Sequence, residues 1–212
     1  MLILELIGTV AFSISGAVTA SKKQMDLLGI IILGACAALG GGVLRDIMLG
    51  ITPPTMFKNP IYAAVAAVSS LIVFVPHVQR LLAGNRVYDI IMLIMDSLGL
   101  GVFTVVGIQT ALANSESYNS FLLVVVGVLT GVGGGVIRDV LAGERPYIFV
   151  KHFYACASII GAVACVALKS VVGINTASFI GAVLVISLRI MAATFRWKLP
   201  KPARYDEDGA EK

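Results

Sequence analysis

Seven apolar runs, each long enough to cross about 30 Å of hydrocarbon, alternate with short polar connectors along the chain. They cover roughly residues 2–20, 27–49, 60–76, 87–112, 120–142, 152–169 and 173–193. The connectors carry turn signals such as Thr52-Pro53-Pro54, Gly84-Asn85 and Asn114-Ser115. This pattern predicts an all-α integral membrane protein with seven transmembrane helices in a single domain, residues 1–195. Past Arg196-Trp197-Lys198 the chain turns polar, holds Pro200 and Pro202, and ends acidic. Residues 199–212 are expected to form a disordered cytoplasmic tail, and Trp197, between two cations, reads as an interfacial anchor.

Charge placement orients the spans. If connectors alternate sides, one face holds Lys22, Lys23, Arg80, Arg86, Arg145, Lys151, Arg196, Lys198, Lys201, Arg204 and Lys212, and the other only Lys58 and Lys169. Positive residues collect on the cytoplasmic side. The N-terminus is therefore expected outside and the C-terminus inside. The first run ends Ala17-Val18-Thr19-Ala20, faintly like a signal-peptide cleavage site. Its cations, Lys22 and Lys23, follow the run instead of preceding it, so it reads as a retained span.

One phrase occurs twice. Residues 40–50 read Gly-Gly-Gly-Val-Leu-Arg-Asp-Ile-Met-Leu-Gly and residues 133–143 read Gly-Gly-Gly-Val-Ile-Arg-Asp-Val-Leu-Ala-Gly, 93 residues apart, with Pro53 and Pro146 keeping the same offset. Glu5, Phe12, Ser13 and Gly16 match Asp96, Phe103, Thr104 and Gly107 at an offset of 91. Spans 1–3 (residues 1–78) thus resemble spans 4–6 (residues 87–170), with the seventh helix at 173–193 left over. Three spans per copy makes the second copy enter from the opposite face, an inverted-topology repeat.

Composition narrows the chemistry. Of 212 residues 58% are hydrophobic and 13% charged, against about a quarter charged in soluble domains. The net charge of +4 is spread over span ends, without the dense basic patch of a nucleic-acid binder. Cys36, Cys156 and Cys165 lie inside apolar runs without CxxC spacing, and read as small packing residues. His77 and His152 are isolated near membrane edges. No H-E-x-x-H, Walker or G-x-S-x-G phrase is present. Neither an enzyme, nor a cofactor, nor a tightly bound metal is expected.

The candidate site is the repeated phrase with its surroundings. Gly40, Gly41, Gly42 and Gly133, Gly134, Gly135 weaken their helices and free backbone carbonyls, which membranes tolerate where they line a cavity or are buried in protein. They point either to kinked helices along a permeation path or to close helix packing. Glu5, Thr9, Ser13 and Gly16 share one face of span 1, and Asp96, Thr104, Gly107 and Thr110 one face of span 4. These polar stripes fit either a cation-lined cavity or hydrogen bonding between helices. Depth pairs Glu5 with Arg45 and Asp96 with Arg138. Adjacent helical residues point about 100° apart, so Asp46 and Asp139 are expected to face water or a cation, unless Arg-Asp is purely a clamp.

Seven spans, inverted three-span repeats and the doubled Gly-Gly-Gly-x-x-Arg-Asp phrase resemble the prokaryotic trimeric intracellular cation (TRIC) channels, a family also labelled as glycine transporter domains. The resemblance covers residues 1 to about 195. It implies a homotrimer, with membrane lipids as a partner, in which each protomer has its own pore conducting K⁺ and Na⁺. It also implies that spans 2 and 5 kink at their glycines and line the pore with spans 1 and 4. Gly40–Gly42, Arg45, Asp46, Gly133–Gly135, Arg138 and Asp139 are the residues so implicated. Animal members carry a lysine-containing phrase linked to lipid binding where this chain has Val43-Leu44-Arg45-Asp46. A secondary transporter of a small solute such as glycine is the alternative, because it wants the same broken helices.

Overall fold

The computed structural model describes residues 1–82, 84–115, 117–150 and 153–197. The expected tail at 199–212 and the interfacial reading of His152 lie outside the described residues. Among the described residues ten helices follow one another: α1 Leu2–Lys22, α2 Leu27–Met48, α3 Thr55–Lys58, α4 Ile61–Phe74, α5 Pro76–Leu82, α6 Asn85–Asn114, α7 Ser120–Leu141, α8 Tyr147–Val150, α9 Tyr154–Val172 and α10 Ile174–Thr194. Six are long and apolar enough to cross a membrane, and α4 with α5 would make a seventh span. That third span is bent by 71°. Pro76 removes an N–H and pushes Val75 into extended backbone (ψ 132°), so the helix stops there and restarts.

The helices that carry the repeated phrase begin and end alike. Asp26 caps α2 by accepting the Gly29 N–H at 2.7 Å, and Asn119 caps α7 by accepting the Leu122 N–H at 2.8 Å. Both end on a left-handed glycine, Gly50 (φ 70°) and Gly143 (φ 69°). The next residues, Ile51 and Glu144, each donate at 2.8 Å to the carbonyl of the phrase's own aspartate. Only glycine takes this backbone without strain, and it lets the chain reverse at once.

Each copy packs as a bundle of three, α1 with α2 and α4, and α6 with α7 and α9; α2 meets α7 and α1 meets α6 across the pseudo-axis. At the centre Phe12 and Phe103 stack with ring centres 5.6 Å apart and planes 9° from parallel. Each ring covers a glycine of the opposite copy: a Cβ on Gly8 would lie 3.0 Å from Phe103, and one on Gly99 2.8 Å from Phe12. The helix α10 lies outside this symmetry, against α6 and α9.

The glycine triplets do not unwind their helices. Residues 40–42 and 133–135 are α-helical throughout, within unbroken helices of 22 residues. The expectation of glycine-broken helices is therefore corrected, and the close-packing alternative describes what is seen. A Cβ on Gly41 would collide with the Thr130 carbonyl, and one on Gly134 with the Ala37 carbonyl. A Cβ on Gly133 would lie 3.2 Å from Gly41 Cα. Small residues let α2 and α7 cross nearly backbone to backbone.

Candidate functional site

Two buried charge clusters stand at the C-terminal ends of α2 and α7. In the first, Arg45 Nη1 lies 3.5 Å from Glu5 Oε1, and Arg45 Nε donates to Asp46 Oδ1 at 2.8 Å. The Tyr62 hydroxyl donates to Glu5 Oε2 in a short hydrogen bond. Asp46 Oδ2 accepts the Thr55 N–H at 2.6 Å, tying the end of α2 to the start of α3. In the second, Arg138 Nη1 donates to Asp96 Oδ1 at 2.7 Å and Arg138 Nε to Asp139 Oδ1 at 2.8 Å. The Tyr154 hydroxyl faces the same Asp96 oxygen at 3.4 Å. Asp139 Oδ2 accepts the Tyr147 N–H at 2.8 Å, at the start of α8.

Both pairings drawn from depth form: Glu5 with Arg45, and Asp96 with Arg138. The expectation that the aspartates face water does not hold in this conformation. Asp46 and Asp139 are 0% and 1% exposed. The helical spacing of Cβ atoms ignored the reach of arginine, whose long side chain curls back so that Nε meets the next carboxylate. Each aspartate is a bracket between its own arginine and the first N–H of a short helix.

The polar stripes are engaged as well. Thr9 donates to the Glu5 carbonyl at 2.7 Å, Ser13 to the Ala66 carbonyl at 2.6 Å with Ser70 Oγ 2.9 Å away. Thr104 donates to the Leu100 carbonyl at 2.7 Å and meets Ser158 Oγ at 2.8 Å. In this conformation Ser13 with Ser70 holds α1 to α4 and Thr104 with Ser158 holds α6 to α9, while Thr9 bonds within α1. Gly16 lies against Leu33 and Gly34 of α2, and Gly107 against Thr130 of α7.

Helix α1 measures the separation of the clusters. Glu5 touches Arg45, while Ser15 accepts from Arg138 Nη1 in a short hydrogen bond. Ten residues of helix put the two contact points about 15 Å apart along the α1 axis. An ionised side chain at the centre of a membrane helix costs roughly 2.5–3.5 kcal/mol on insertion scales, and pairing offsets such a cost.

Sequence reasoning missed several participants. Tyr62 and Tyr154 both precede alanine at the start of the third helix of each copy, and extending the repeat past Pro53 and Pro146 would have found them. Ser70 and Ser158 carried no periodic signal. Arg189 did, as a lone cation inside an apolar run; it sits over the Tyr154 ring at 4.8 Å. Tyr147 lies under Arg138 at 5.1 Å, and burial pushes its phenol above the usual range. Trp197 packs edge-on against Phe153 at 5.1 Å, so it is held by protein on one side.

This architecture, two inverted three-helix bundles around paired buried charges, is that of a known family. A model of the glycine transporter family matches residues 2–77 and 93–170, and the chain belongs to that family, which is also that of the TRIC channels. The UPF0126 inner membrane protein YadS of Escherichia coli strain K12 is 39% identical over 209 residues, covering 97% of each chain. The Bacillus subtilis membrane protein YvgT is 30% identical over 93% of this chain and 94% of its own. Among solved structures, one on conductance through TRIC cation channels superposes with a TM-score of 0.83 at 38% identity, covering 97% of this chain and 98% of the other. The TRIC trimeric intracellular cation channel orthologue from Rhodobacter sphaeroides gives 0.85 at 30% identity, covering 92% and 98%.

Proposed function

We propose that this protein is a passive cation channel that conducts K⁺ and Na⁺ and works as a homotrimer in a prokaryotic inner membrane. In this reading the N-terminus is outside and the C-terminus cytoplasmic. Each protomer has its own path, running past α1 and α2 and then past α6 and α7. The observation that carries the reading is the pair of buried charge clusters about 15 Å apart along α1. Each places two carboxylates at one end of the path, whose oxygens can take the place of water around a cation. The arginines temper that field and hold the helix ends. Between the clusters, Ser13, Ser70, Thr104 and Ser158 offer hydroxyls that can replace part of a cation's hydration shell.

The described conformation is closed in this reading. The hydroxyls bond one another, and α2 and α7 touch through glycine. Opening would separate the α2–α7 crossing, which is held by close backbone contacts at Gly41 and Gly134 and by Ile137 and Leu44 packed against Gly40 and Gly133 of the facing helix. The relatives described as TRIC cation channels support this class of function over a transporter.

Planar-bilayer recording of purified protein under an asymmetric KCl gradient tests the proposal. Discrete unitary currents that reverse near the K⁺ potential are expected. Silence from protein shown to be folded and inserted would overturn it, and labelled glycine uptake into liposomes would then be measured.

A further inference from the structure

Helix α10 stands outside the duplication, yet it brings a cation to one cluster and none to the other. Arg189 is 4% exposed. Its Nη2 lies 3.9 Å from Asp96 Oδ2, beyond hydrogen-bond reach. Among the described residues neither Asp96 Oδ2 nor Arg189 Nε has a hydrogen-bond partner. Arg138, by contrast, holds the other oxygen of Asp96 at 2.7 Å. Asp96 thus presents one bonded oxygen and one that faces a loosely held guanidinium.

On its other side Arg189 forms the wall of a cavity of about 580 Å³ between α6 and α10. Asp89, Met92 and Leu93 line that cavity from α6. With Asp96 they fall at i, i+3, i+4 and i+7, one face of the helix. The cavity therefore leads along α6 toward Asp96, and Arg189 stands between the two. The charges facing this place are the carboxylates Asp89 and Asp96 and the cations Arg138, Arg189 and Arg196.

We propose that Arg189 is a tethered blocking cation. Its guanidinium occupies the position beside Asp96 Oδ2 that a permeating monovalent cation takes when the path opens, and the cavity between α6 and α10 is the approach to it. The inference rests on the channel reading above and gives the seventh long helix a role in it. A fixed positive charge at this place lowers the local concentration of cations, and swinging it toward the cavity, where Asp89 awaits, would raise it. With no hydrogen bond to Asp96, the guanidinium would have to give up its longer ion pair and its stacking on the Tyr154 ring to swing.

Unitary currents of wild type and R189Q in KCl test the block. R189Q is expected to raise unitary conductance or open probability about threefold or more. Wild-type currents reproduced unchanged by R189Q would overturn the block alone. Silence from both proteins, folded and inserted, would overturn the block together with the channel reading. R189C supplies a second test in which each bilayer is its own control. A cationic aminoethyl thiosulfonate should reduce its current, while a neutral methyl reagent should not, and wild type with its native cysteines should respond to neither. Equal effects of the two reagents on R189C would overturn the proposal.

Discussion

Arg45 and Arg138 occupy equivalent places in the two copies and are both fully buried, but their company differs. Arg138 donates to Asp96, Asp139 and Ser15 and lies against the Tyr147 ring. Arg45 has one hydrogen-bond partner, Asp46, and a longer ion pair to Glu5, and among the described residues its Nη1 and Nη2 have no hydrogen-bond partner. Formal charge differs too. Glu5 and Asp46 against Arg45 leave one net negative charge; Asp96 and Asp139 against Arg138 and Arg189 leave none. One motif, copied, has become a tight neutral lock at one end and a looser anionic one at the other. What the duplication fixed is the clamp, and what it left free is the surroundings that tune it.

The largest effects should come from the arginines, and they should be unequal. Arg138→Met strips the bonded cation from two buried carboxylates, a loss of about 3–5 kcal/mol for a broken buried pair. Arg45→Met removes fewer bonds and should fall at or below the lower end of that range. Thermal unfolding of detergent-solubilised protein measures the difference. Equal losses would mean that the extra partners of Arg138 contribute nothing, and the comparison would break.

The crossing of α2 and α7 should respond symmetrically. Gly41→Ala and Gly134→Ala each press a methyl group into a backbone carbonyl of the other helix, so either should cost about 1–3 kcal/mol as overpacking. Gly42→Ala should cost far less, because what it meets is the flexible end of Met56. If Gly42→Ala proves as harmful as Gly41→Ala in the same unfolding assay, the glycines do not act through the helix crossing.

The sequence reveals these regions to different degrees. The spans, the inverted repeat and both acid–arginine pairs were legible, because apolar runs, a copied phrase and depth in the membrane are one-dimensional facts. The brackets made by Asp46 and Asp139 were not. They depend on how far an arginine side chain folds back and on the short helices α3 and α8, whose four residues carry no periodic signal. The bend at Pro76 was readable from proline chemistry, although the apolar run concealed it. Continuous helices through three glycines could not be foreseen from propensity, since it is the facing helix, close enough to exclude a Cβ at Gly41 and Gly134, that packs against them.

The smallest effects should reverse the order of the arginines. Tyr62 donates a short hydrogen bond to Glu5, the carboxylate whose arginine is distant, whereas Tyr154 stands 3.4 Å from an Asp96 oxygen that Arg138 already satisfies. Hydrogen bonds between helices in membranes average about 0.6 kcal/mol and reach about 1.7. Tyr62→Phe should approach the upper figure, since it takes from Glu5 its one close side-chain donor among the described residues. Tyr154→Phe should stay at or below the average. Unfolding midpoints of the two variants, each against wild type, give the ranking. A larger loss from Tyr154→Phe would show that the second cluster depends on its tyrosine despite the arginine. The division into an arginine-held lock and a tyrosine-assisted one would then fail.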